Sequence, residues 1–299
     1  MKNVFTYIVL IVLIGLVYFN REDIYRLTMP LLSSAHKITT LEKNKYYREY
    51  DFKYVINTDD FVPETKQDIL NIYYTFVNSG DKSFTFHCSD KYINCINDVE
   101  TLANDQNMIS NINNFVHPYN SFDSIETTID SRDNITLKIN KVYDDDMIVL
   151  INYKIEEIYK EVYKSDLSTK DNIKNFHDYI INNTRYDKER ADSKIVKYKS
   201  DNAYGVLLEG IGLCGGYTDT MSLFLEKMHV KNYKVSTLNH TWNRAFIDGV
   251  WYHIDLTWDD PISEDGTDIL DHKFFLITTS ELLDIEKSEH NFDAAIYDK

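Results

Sequence analysis

Apolar residues recur along this chain in two rhythms, one helical and one extended. Between Glu64 and Val77, Ile69, Ile72, Tyr73 and Phe76 fall three and four apart, the spacing of a helix face. Asp90 to Leu102 reads as a second helix and Met147 to Tyr163 as a long amphipathic third. Ser83 to Cys88 alternates as a strand does. Ser124 to Ile129 and Ile135 to Tyr143 read as paired strands about the turn cluster Ser131-Arg132-Asp133-Asn134. Ser168 is an N-cap with Asp171 at the capping-box position, and Ile173, Phe176, His177, Ile180 and Ile181 continue at helical spacing. His177 lies on that apolar stripe and reads as a packed helix residue, not a base. A charged, lysine-rich loop then runs to Ser200.

The last part of the chain is the most specific. Tyr217, Met221, Phe224, Leu225 and Met228 repeat at helical spacing, which places Cys214 in the first turn of a helix. Asp248-Gly249 predicts a two-residue hairpin turn. If Ile247 pairs with Val250, Arg244 faces His253, Trp242 faces Asp255 and His240 faces Thr257. His240, Trp242, Arg244 and Phe246 then share a sheet face with Trp251, His253, Asp255 and Thr257. The other face carries Ala245, Ile247, Val250, Tyr252, Ile254 and Leu256, an apolar set suited to a core. His240 and Asp255 become diagonal neighbours, within hydrogen-bonding reach. Packing the start of the cysteine helix on their face would complete a site.

One apolar run has no such rhythm. Val4 to Phe19 follows Lys2 and is closed by Asn20-Arg21-Glu22-Asp23. It is slightly short of the ~20 residues of a spanning helix and long for a cleaved signal. We read residues 1–22 as a signal anchor with the body outside the cytoplasm; secretion after cleavage is the alternative. Residues 23–45 read as a juxtamembrane stalk, 46–165 as an N-terminal α+β domain and 166–299 as a catalytic domain. Composition allows a large core, since 43% of the 299 residues are hydrophobic. The net charge of −16 repels phosphate backbones and argues against nucleic acid as a partner.

Three cysteines stand at 88, 95 and 214. Cys88 and Cys95 are close enough in sequence to pair, which would leave Cys214 as the odd thiol. Cys214 sits in Gly210-Ile211-Gly212-Leu213-Cys214-Gly215-Gly216-Tyr217, a glycine turn entering a helix. The unpaired N–H groups and positive dipole end of a helix start stabilise an anion, here a nucleophilic thiolate. The Cys214 N–H is a candidate oxyanion donor. With His240 as base and Asp255 as its orienting carboxylate, the parts of a cysteine acyl-transfer site are present. His253 is the rival base, made poorer by its pairing with Arg244. A metal reading would use His253, Asp255, Asp259 and Asp260, but no second histidine lies at a compact ligand spacing. No cofactor signature is present.

These stretches, together with Phe176-His177-Asp178-Tyr179-Ile180, Arg185-Tyr186-Asp187, Ala203-Tyr204-Gly205, His240-Thr241-Trp242-Asn243, Trp251 to Pro261 and Asp271-His272-Lys273-Phe274-Phe275, resemble the bacterial transglutaminase-like superfamily over about residues 166–290. The resemblance implies an α+β fold with the cysteine helix packed on an antiparallel sheet, and a papain-like triad at Cys214, His240 and Asp255. It implies acyl transfer or hydrolysis at an amide of a protein or peptide. Tyr204 becomes a candidate second oxyanion donor. Leu213 stands where cross-linking members carry glutamine, and no EF-hand loop is present, so hydrolysis is slightly favoured over amine transfer. A non-catalytic envelope binding module on the same scaffold is the alternative.

Overall fold

The computed structural model describes residues 41–262 and 269–297. The expected anchor and most of the expected stalk lie outside the described residues. No helix among the described residues is long and apolar enough to cross a membrane. Leu41 to Lys299 forms one compact unit of mixed helices and antiparallel sheets.

The first sheet has three strands, β1 (Ser83–His87), β2 (Phe122–Ile129) and β3 (Asn134–Lys141), in the order β1-β3-β2. Helix Lys66–Ser79 is capped at both ends: Thr65 and Asp68 form a reciprocal capping box, and Gly80 turns the chain out. The helix expected from Asp90 starts instead at Cys95 and runs to Asn104. Cys88 and Cys95 are joined by a disulfide, and backbone turns through Ser89 and Tyr92 carry the chain between them.

Helix Asp145–Val162 leads into helix Thr169–Asn182. Ser168 caps the latter by accepting from the Asp171 N–H, but its hydroxyl also donates to the Asp171 carboxylate, so the reciprocal box is not made. The lysine-rich loop contains a short helix, Lys188–Ser193, whose N-cap Asp187 accepts from the Arg190 N–H. Two short parallel strands, β4 (Arg185–Tyr186) and β5 (Ile211–Gly212), frame the entry to helix Cys214–Lys227.

The second sheet comprises β6 (Asn232–Ser236), β7 (Thr241–Ile247), β8 (Val250–Ile254) and β9 (Phe275–Ile277), antiparallel and in that order. The hairpin register is as read from the turn: Ile247 pairs with Val250 and Arg244 with His253. Asp248 and Gly249 both have positive φ, 53° and 84°, as a type I′ turn requires. The ladder ends at Asn243 with Ile254, earlier than expected. Beyond it, the Asp255 carboxylate accepts the Thr257 and Trp258 N–H groups and curls the chain into a turn, so Thr257 does not extend the strand opposite His240.

This sheet divides two cores. Tyr233, Val235 and Trp242 pack with Phe52, Phe115 and the first sheet's Phe84 and Leu137. Ala245, Ile247 and Ile254 pack with Tyr217, Met221 and Phe224 of the cysteine helix. The helix therefore lies on the Ala245 face, not on the His240–Trp242 face expected from sequence. Small and aliphatic residues on the Ala245 face let a helix approach closely, and Asn243 fastens it by donating to Thr218 O and Ser222 Oγ. Both cores draw side chains from either side of residue 166.

Candidate active site

Cys214 is the first residue of its helix, and no side chain caps that helix start. The preceding segment wraps around it: Leu213 donates its N–H to Ser200 O at 2.6 Å. A Cβ on Gly216 would lie 2.4 Å from that same Ser200 oxygen, so only glycine lets the two backbones approach. The wrapping segment is held in turn by Tyr143, whose hydroxyl accepts from the Ala203 N–H and donates to Asp219 on the cysteine helix.

His240 immediately precedes β7 and is buried. Its Nε2 lies 2.5 Å from Asp255 Oδ2. A carboxylate oxygen only accepts, so Nε2 donates and Nδ1 is the nitrogen left for the thiol. The ring stacks on Trp242 at 5.5 Å and meets the edge of Trp258. Burial alone would lower the His240 pKa. The Asp255 charge, its hydrogen bond and hydrogen bonding to Cys214 outweigh burial and push it up to about 10. For Asp255, burial would raise the pKa, but the His240 charge and hydrogen bonds from both His240 and His290 pull it down to about 2.

These shifts fix the sign of a pH dependence. Stability from Asp255 is complete above its ordinary value near ~4 and is lost as pH falls toward about 2. Stability from His240 is complete below its ordinary value near ~6.5 and is lost as pH rises toward about 10. Urea midpoints measured across pH should therefore fall at both extremes. A D255N,H240Q variant, lacking both groups, should lose these two contributions, and equal pH slopes in the two proteins would contradict them.

His253 is not positioned as a base. Its Nδ1 accepts from the Trp242 indole at 2.8 Å, and its Nε2 meets Thr279 Oγ1 at 3.0 Å. Burial and the Arg244 charge drive its pKa well below the ordinary value. The four residues of the metal reading engage separate partners. His253 meets Trp242, Asp255 meets His240, Asp259 meets His177, and Asp260 accepts from Tyr217. His177 is fully buried and spans Asp178 and Asp259, bracing its helix against the loop after β8.

Two features had no role assigned from sequence. His290 is fully buried behind Asp255, bonded to it and to Glu286. Only the four-residue spacing of Glu286 and His290 hints at a pair. Burial raises the Tyr186 pKa, and its nearness to Cys214 adds to the rise. Tyr204, proposed above as an oxyanion donor, donates its own N–H to Asn202 and is not on the cleft wall.

Cys214 and His240 open into a cleft of about 780 Å³ whose wall also includes Asn111, Asp123, Lys234 and Tyr297. The wall is predominantly polar and is contributed by both the first and last parts of the chain.

No family model matches the chain, and no curated protein matches it. Among solved structures, a TGase is 16% identical with a TM-score of 0.35, over 46% of this chain and 44% of the other. A candidate cysteine protease from Cytophaga hutchinsonii is 16% identical with a TM-score of 0.28, over 52% of this chain and 69% of the other. The chain thus spans less than half the length of the TGase it resembles. Likenesses this loose and partial assign neither a family nor a function.

Proposed function

We propose that this chain is an extracytoplasmic cysteine enzyme on a transglutaminase-like scaffold, membrane-anchored by its N-terminal apolar run, that transfers or hydrolyses the acyl group of a protein or peptide amide. The observation that carries the reading is the 2.5 Å contact between His240 Nε2 and Asp255 Oδ2 beside the uncapped helix start at Cys214. The Cys88–Cys95 disulfide and the apolar run support export.

In this reading His240, whose pKa Asp255 raises, takes the proton of Cys214. The sulfur attacks the amide carbon and an S–C bond forms. The tetrahedral oxyanion faces the Cys214 N–H at the helix start. His240 gives its proton to the leaving amine, the C–N bond breaks and a thioester remains. Water, or a primary amine, then attacks the thioester; His240 takes the incoming proton and the thiolate leaves. Asp255 holds the His240 tautomer and supports its cation throughout.

Cys214 is the free thiol of a chain with three cysteines, so alkylation reads it directly. Iodoacetamide should modify one residue per chain, Cys214, and do so already at mildly acidic pH. His240→Ala should abolish that low-pH reactivity; labelling indifferent to the substitution would sink the role given to His240. Offering a peptide library with and without a primary amine, read by mass for cleavage, ammonia release or cross-links, then separates hydrolysis from amine transfer.

A further inference from the structure

Asp255 serves two imidazoles. Its Oδ2 lies 2.5 Å from His240 Nε2 and 2.9 Å from His290 Nε2. Its Oδ1 accepts the N–H groups of Thr257 and Trp258 at 3.0 and 3.2 Å. Four donors on two oxygens leave this carboxylate no freedom to rotate. Because Asp255 only accepts, His290 must present an N–H at Nε2. The opposite nitrogen, Nδ1, lies 2.9 Å from Glu286 Oε2, which fixes the orientation of the ring about its own axis.

The His290 ring is also held by packing. It stacks on Phe274 at 5.3 Å and meets the edges of Trp242 and Trp258. It is fully buried and is not on the cleft wall, so it does not meet a substrate there. The ionisable groups facing it are His240, Asp255 and His253 from the sheet region and Glu286 from the end of helix Thr279–Ile285.

We propose that His290 is a positioning residue for the chemistry at Cys214: it pins Asp255 Oδ2 at the point from which that oxygen orients His240, and Glu286 locks His290 in turn. The inference rests on the proposed role of Cys214. Its physical content is that Oδ2, with one of its two donors removed, would be held by His240 alone and could shift with that ring. A weakened Asp255 contact would let the imidazole ring swing, and Nδ1 would spend less time aimed at the sulfur.

The experiment measures the rate of Cys214 alkylation against pH, and the ultraviolet absorbance of the thiolate, in the full chain; both need no substrate. Phenylalanine fills the aromatic nest without a donor, so His290→Phe should slow alkylation at mildly acidic pH by about 10- to 100-fold, the scale of one hydrogen bond to a charged group. Glutamine restores an N–H, so His290→Gln should stay within about threefold of the native rate. Glu286→Leu removes the outer lock and should lower the rate in the same direction. If the native protein shows no low-pH reactivity, the reading of Cys214 fails. If it does, and a folded H290F keeps the native pH profile, the role of His290 alone is overturned. Should H290F not fold, H290Q and E286L decide: a complete loss in H290Q, or an unchanged profile in E286L, overturns the proposal.

Discussion

Replacing His240 with alanine should remove nearly all turnover of whatever amide the library identifies, lowering kcat by about 10⁴- to 10⁶-fold, and Cys214→Ala should do the same. The double variant should be no worse than either single one. The reason is cooperative: the thiolate is useful only while its proton sits on an imidazole aimed at it, and that imidazole is useful only beside the sulfur. Asp255→Ala should be nearly as severe, because it removes the group that holds His240 Nε2 and supports its raised pKa. It should also leave His290 facing an empty place, so some of its effect is lost stability. The measurement is single-turnover kinetics with thermal midpoints alongside. Additive losses in the C214A,H240A pair would mean that the two residues act independently and would remove the basis of the mechanism.

Trp242→Ala should be the most destabilising single substitution near the site. Trp242 is almost fully buried and joins the first core. Truncating a buried tryptophan costs about 3–5 kcal/mol. Its indole also donates to His253 Nδ1, and a buried acceptor left without its donor adds about 1–3 kcal/mol. At about 2–4 °C per kcal/mol for a domain of this size, the thermal midpoint should fall by 10 °C or more. Trp242→Phe keeps most of the volume and should lose mainly the hydrogen bond. His240, stacked on the indole, should lose its fixed orientation in the alanine variant. A midpoint within about 2 °C of the native value would show that the core closes over the gap.

Local features were legible because neighbours in sequence decide them. Asp248 and Gly249 accept positive φ, which sets the hairpin and hence the Arg244–His253 pairing. Helical periodicity marked Thr169–Asn182 and Cys214–Lys227. The register stopped short at Asn243–Ile254 because a side chain competed with the ladder: Asp255 captured two N–H groups just beyond it. Such competition depends on where the carboxylate points, which pairing rules do not encode.

The sequence by itself determined which residues can carry chemistry and which lie near one another along the hairpin. It could not choose the face on which the cysteine helix packs, because alternation along β7 and β8 separates two faces without saying which element covers each. Burial of Ala245, Ile247 and Ile254 against Tyr217, Met221 and Phe224 made that choice. Nor could it bring His290 behind Asp255, a contact spanning 35 residues. Only tertiary packing puts a residue that distant beside a buried carboxylate, and only there does its N–H acquire a partner.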